Sequence, residues 1–220
     1  MSERSGTSAE DPFDGRRPTS HERMTGLPWD ASYQDGPAPW DVGRPQPAIV
    51  RVAAAGGFTG AVLDVGCGTG DNALHVAALG LPVLGVDVAE TALAIARQKA
   101  ADRGIAAEFA ACDAFRLERS GRRFRTVLDC GMFHTCDADE RPGYVASLAS
   151  VTEPGATLHL LCFRDDGPDA GPHPVRREEL AAAFGPGTGW QVAAVDADRV
   201  LTRFHGDDGA PAWLARITRT

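Results

Sequence analysis

Four short stretches of this sequence set acidic, glycine and imidazole side chains at spacings that suit ligand chemistry. In Asp64-Val65-Gly66-Cys67-Gly68-Thr69-Gly70, three glycines stand at alternate positions behind a carboxylate. Glycines permit a turn with no Cβ in the way, so a ligand can approach the backbone closely. A dinucleotide turn uses G-x-G-x-x-G spacing to seat a pyrophosphate on the following helix. Here the spacing is G-x-G-x-G, and Asp64 would repel a pyrophosphate while suiting water or the ammonium of an amino-acid moiety. Asp87 ends a second apolar run and reads either as an acceptor for two sugar hydroxyls or as a helix N-cap. Asp113, in Cys112-Asp113-Ala114, reads either as an acceptor for an exocyclic amine or as a turn residue. The fourth stretch is Asp129-Cys130-Gly131-Met132-Phe133-His134-Thr135. Met132 and Phe133 suit an apolar wall for a flat molecule, and His134 is placed either as a general base or as a structural imidazole. Cys130, His134 and Cys136 lack a fourth ligand and a paired C-x-x-C, so no metal is expected.

The elements that must position these residues alternate strand and helix. Pro45 and Pro47 suit the start of a helix running to Ala55. Ala61–Asp64 reads as a buried strand, Asp71–Leu79 as a helix closed by Gly80, and Pro82–Val86 as the next strand. Thr91–Arg103 is a helix ended by Gly104, and Ala106–Ala110 and Thr126–Cys130 are strands. Asp139 can cap a helix with Pro142 in its first turn. Thr157–Phe163, Gln191–Phe204 and Pro211–Thr218 are the remaining strands, and Arg177–Phe184 is a helix. This order predicts a doubly wound, mostly parallel seven-stranded α/β sheet with an antiparallel C-terminal hairpin strand, Rossmann-like in plan. Ligands bind at the carboxyl ends of such strands, where all four stretches fall. Arg164–Val175 then reads either as a lid over that end or as a plain solvated loop.

Composition narrows the partners. With 30 acidic against 22 basic residues and a net charge of −8, the 220-residue chain lacks the basic footprint of a nucleic-acid or anionic-membrane binder. Five scattered cysteines point to a reduced, cytoplasmic chain. The single lysine, Lys99, lies in a polar helical stretch, which argues against Schiff-base chemistry. Residues 1–25 are polar and are expected to be a disordered tail, leaving 26–220 as one domain. Within it, residues 26–47 carry Trp29, Tyr33 and Trp40 among prolines, the texture of an ordered aromatic cover.

Taken together, these residues resemble the class I S-adenosylmethionine (SAM)-dependent methyltransferases over about residues 27–218. Trp29-x3-Tyr33-x6-Trp40-Asp41-x-Gly43-x3-Pro47 is similar to the amino-terminal cover of the branch holding the thiopurine, halide and thiol methyltransferases. That branch usually has tryptophan at the Tyr33 position. The Phe133-His134-Thr135 exit and the Leu160-Leu161-Cys162-Phe163 run resemble bacterial heteroaromatic-toxin methyltransferases.

The resemblance implies SAM as cofactor and S-adenosylhomocysteine as product. Gly66, Cys67 and Gly68 would line the methionine part, Asp87 would bind the ribose and Asp113 the adenine amine, with Asp64, Val88, Cys112, Ala114 and Asp129 as further cofactor contacts. Trp29, Tyr33 and Trp40 would close over the cofactor, and aromatic faces stabilise a sulfonium by roughly 0.5–2 kcal/mol. Trp29, Met132, Phe133 and Phe163 would face the acceptor, with His134 as its base. The implied activity is in-line methyl transfer to sulfur, nitrogen or oxygen of a small aromatic or heteroaromatic molecule, in detoxification or tailoring. A non-catalytic SAM-binding protein and an NAD-dependent oxidoreductase are the alternatives.

Overall fold

The computed structural model describes residue 13 and residues 15–167 and 172–220. Among them, α1 spans Ser20–Thr25, α2 Pro47–Ala54, α3 Asp71–Ala77, α4 Glu90–Arg103, α5 Arg141–Ser150 and α6 Arg177–Ala183. The strands are β1 Val62–Val65, β2 Val83–Asp87, β3 Glu108–Ala111, β4 Phe124–Cys130, β5 Thr152–Phe163, β6 Trp190–Val200 and β7 Ala210–Arg219. They form one seven-stranded sheet in the order β3-β2-β1-β4-β5-β7-β6. The first five pair in parallel, and β7 runs antiparallel to both β5 and β6. This is the predicted architecture.

The central strands are apolar on both faces because both are covered. Val62, Val83 and Leu128 pack under α2, α3 and α4 with Ile49, Leu74 and Leu93. Leu63, Leu84 and Val127 point the other way, into a cluster with Tyr144, Leu148, Leu180 and Trp190. The chain runs outward from β1 to β3, then returns to β4 on the other side of β1. That reversal opens a crevice at the carboxyl ends of β1 and β4, the usual ligand position in such sheets. No helix among the described residues is long and apolar enough to cross a membrane.

Several boundaries differ from the sequence reading. Residues 1–12 and 14 lie outside the described residues, but the rest of the expected disordered tail is folded. Thr19 and Glu22 form a capping box that starts α1, and Glu22 is fully buried. β5 starts at Thr152 rather than Thr157, because Thr152 pairs with Phe124 across a register shift. β6 stops at Val200, so Leu201, Thr202 and Phe204 leave the sheet as a loop. The cap of α5 is Glu140, not Asp139, with the Asp137 carboxylate accepting both the Asp139 and Glu140 N–H groups.

Candidate active site

A cavity of about 470 Å³ lies at the carboxyl ends of β1, β2, β4 and β5. One side is built by the glycine turn. Gly66, Gly68 and Gly70 have φ of 67°, 52° and 80°, a backbone region that L side chains avoid. A Cβ on Gly68 would come 3.1 Å from the Tyr33 hydroxyl. A Cβ on Gly70 would sit 2.9 Å from Ala96 Cβ and from the Phe109 ring. Gly68 therefore keeps the passage under the cover clear, while Gly70 lets α3 approach α4 and β3.

Asp87 stands beside that turn. Its carboxylate accepts N–H from Gly68 at 2.8 Å and from Ala89 at 2.9 Å. It thus couples the turn to the start of α4, as a cap would, and each oxygen keeps a lone pair for a hydroxyl. Burial raises its pKa, and the two N–H donors oppose that rise. Asp113 accepts the Phe115 N–H at 2.9 Å, and it lines the cavity with Val88, Cys112 and Ala114. Cys67 also lines it.

Two predicted cofactor contacts lie behind the wall instead of on it. Asp64 is buried on the α3 face of β1, outside the cavity lining, and its Oδ2 has no hydrogen-bond partner. Burial, with Asp129 and Asp87 nearby, pushes its pKa up to about 8. Asp129 is also buried and outside the lining. It accepts N–H from Met132 at 2.9 Å and Phe133 at 3.3 Å, and O–H from Tyr144 at 2.8 Å. Its role is to fold the exit turn after β4; burial pushes its pKa up to about 6 against these donors.

Of the residues expected to face the acceptor, Trp29, Met132, His134 and Phe163 line the cavity. Phe133 does not join them. It is fully buried against Phe184, at 5.5 Å between ring centres, with the Arg141 guanidinium 4.9 Å from its ring. The His134 ring lies 4.4 Å from Phe163, and its Nδ1 accepts the Phe163 backbone N–H at 3.4 Å. Burial, then the Arg141 and His173 charges, pull its pKa down to about 3.

The cover is anchored at several points. Trp40 donates its indole N–H to the Tyr33 hydroxyl at 2.8 Å, and Trp29 stacks on His21 at 4.3 Å. Asp30 accepts the N–H and hydroxyl of Thr91 at the start of α4. Asp41 accepts the Thr69 hydroxyl at 2.9 Å, tying the cover to the glycine turn, and Lys99 donates to that same hydroxyl at 2.8 Å.

Sequence reasoning missed Arg16, Thr19 and His21, which line the cavity from the supposed tail, and Thr202, Phe204 and His205 after β6. Thr19-x-x-Glu22 carried the signal for the first group. The second carried none, since its residues continue an apparent strand. Pro172 reaches the cavity from the candidate lid, and residues 168–171 of that loop lie outside the described residues.

A family of methyltransferase domains matches residues 62–155. The chain belongs to the SAM-dependent methyltransferases. It is 38% identical over 146 residues to the 2-heptyl-1-hydroxyquinolin-4(1H)-one methyltransferase of Mycobacteroides abscessus. That match spans 64% of each protein, so the chain aligns with just under two thirds of this relative. A solved structure from work on the conversion of a disulfide bond into a thioacetal group during echinomycin biosynthesis is 36% identical. It superposes with a TM-score of 0.73, covering 83% of this chain and 85% of that one. The 1,6-didemethyltoxoflavin-N1-methyltransferase of Burkholderia thailandensis, solved with 1,6-didemethyltoxoflavin and S-adenosylhomocysteine, is 25% identical. It gives a TM-score of 0.69 over 95% of this chain and 94% of that one.

The residues present fit the family's cofactor. The glycine turn leaves a cradle that a Cβ would obstruct, and Asp87 offers two oxygens. Asp64 holds an orphaned buried oxygen immediately behind the turn.

Proposed function

We propose that this chain transfers a methyl group from SAM to a small, flat aromatic or heteroaromatic acceptor. The observation that carries the reading is one continuous cavity with two chemically different walls. The glycine turn and Asp87 form one wall; Trp29, Met132, His134 and Phe163 form the other. SAM, when bound, supplies an activated methyl group on a sulfonium. Gly66, Cys67 and Gly68 would then hold the methionine part, Asp87 and Val88 the ribose, and Cys112, Asp113 and Ala114 the adenine. Tyr33 and Trp40 cover that side. Trp29 and Met132 orient the acceptor and exclude water, and alignment of two reactants lowers a barrier by roughly 7–11 kcal/mol.

Two relatives support the acceptor class, since a hydroxyquinolinone and a didemethyltoxoflavin are both flat heteroaromatics. The acid excess supports a small-molecule partner over nucleic acid or an anionic membrane. The free cysteines support a cytoplasmic setting. The unit that does this work runs from Arg16 onward, with residues 16–47 as its cover.

Calorimetry with S-adenosylhomocysteine, followed by labelled SAM against thiols, halides, thiopurines, phenols and heteroaromatic N–H or N–OH compounds, tests the reading. Heat with the nucleoside and a labelled heteroaromatic product are expected. Absence of heat, with NAD(H) binding instead, would overturn it.

A further inference from the structure

The imidazole at the acceptor wall has its proton placed by the sheet. β5 pairs with β4 only as far as Cys130 opposite Leu161, where the Gly131 N–H reaches the Leu161 carbonyl. Strand groups alternate sides, so the next β5 N–H facing β4 belongs to Phe163. That buried N–H would have no ladder partner, and a buried backbone donor left unpaired is costly. His134 Nδ1 takes it, at 3.4 Å. A ring nitrogen that accepts carries no proton, so the neutral ring bears its proton on Nε2. Among the described residues Nε2 has no protein partner, while His134 forms part of the cavity wall beside Met132 and Phe163.

We propose that His134 serves methyl transfer as a hydrogen-bond donor, offering Nε2–H to a lone pair on an acceptor that arrives already ionised. This rests on the methyltransferase reading above and replaces the general-base role expected from the sequence. A base needs its lone pair facing the substrate, and this one faces Phe163. Arg141 of α5 and His173 of the loop before α6 are the charged or titratable groups bearing on the ring, and with burial they keep it neutral. In the transfer step the acceptor's lone pair forms the bond to the methyl carbon as the carbon–sulfur bonding pair stays with sulfur. The acceptor's negative and the sulfonium's positive charge cancel, and no proton passes to the protein. The favoured substrates are therefore aromatic or heteroaromatic hydroxyls, N-hydroxyls and thiols acidic enough to ionise in solution. Acceptors that must lose an N–H proton on the enzyme are disfavoured.

Imidazole-nitrogen NMR on protein saturated with S-adenosylhomocysteine tests the proton's position without needing turnover. It therefore holds or fails separately from the proposed activity. His134 should show protonated Nε2 and bare Nδ1, unchanged from about pH 5 to 8. A proton on Nδ1, or titration within that window, would overturn the proposal. In kinetics, the midpoint of the pH profile of kcat/KM should move with the acceptor's own acidity. A midpoint that stays fixed across acceptors of different acidity would report an enzyme base and refute it. His134→Ala should lower kcat/KM about 10- to 100-fold, the range for a lost hydrogen bond to a charged group. Its S-adenosylhomocysteine affinity should be unchanged; wild-type kinetics in this variant would equally refute the role.

Discussion

Asp64 and Asp87 stand on adjacent strands, yet the fold treats them oppositely. Asp87 receives two backbone N–H groups, whereas one Asp64 oxygen receives nothing. Burial, with Asp129 and Asp87 nearby, pushes the folded Asp64 pKa up to about 8, from the ordinary 3.8 of an exposed carboxyl. The unfolded state therefore binds fewer protons between those values, and stability falls as pH climbs through them. Asp64→Asn should flatten that fall and raise the melting temperature of the ligand-free protein at pH 8. Melts across pH check both. Asp87→Ala should weaken S-adenosylhomocysteine affinity in calorimetry about 10- to 100-fold, because the proposed ribose acceptor and the support of Gly68 go together. The glycines and Asp87 were legible because their chemistry depends on type and spacing alone. The split between Met132 and Phe133 was not, because the exit turn is 3-10 helical from Phe133 to Thr135. At three residues per turn, neighbouring side chains diverge by about 120°, so Met132 faces the cavity while Phe133 turns into the core.

At the scale of elements, the buried Glu22 carboxylate organises the start of α1, while Arg23 ties its outer face to Asp137 and Glu140. Glu22 accepts from Arg16 at 2.7 Å, from the Thr19 N–H at 2.8 Å and from the Trp29 N–H at 3.1 Å. Those bonds fix both the segment entering α1 and the first tryptophan of the cover. The donors, led by the Arg16 side chain, hold its pKa below the ordinary 4.5 despite burial. A lowered folded value means that its contribution is complete above pH 4.5 and is lost as pH falls through that lower value. Glu22→Gln should expose residues 16–30 to proteolysis at neutral pH, mimicking the acid-treated wild type. Composition hid this helix, since its residues are polar and its burial comes from pairing. Gly70→Ala is the complementary packing test. A Cβ there meets Ala96 and Phe109 at 2.9 Å on a backbone at φ 80°, and overpacking of this kind costs about 1–3 kcal/mol, read by urea denaturation.

Over the whole molecule, the sheet order was readable because apolar runs and glycine stops alternate regularly along the chain. The loop after β6 was not readable, since its cavity-lining residues extend a strand pattern and only the pairing with β7 shows where it ends. The cavity gathers residues from Arg16 to His205, so ligand binding should stabilise distant parts of the chain together. Saturating S-adenosylhomocysteine at about 100 times its Kd should add about 2.7 kcal/mol of stability. Slowed amide exchange across residues 16–47 should accompany it, measured by mass spectrometry. The Lys99–Thr69–Asp41 chain gives this closure a natural gauge. Lys99 also pairs with Asp71 at 2.7 Å, and it is the sequence's one lysine. An amine-selective acylating reagent thus meets a single side-chain amine, placed at the joint between cover and cradle. The speed of its labelling would count how often that joint comes apart.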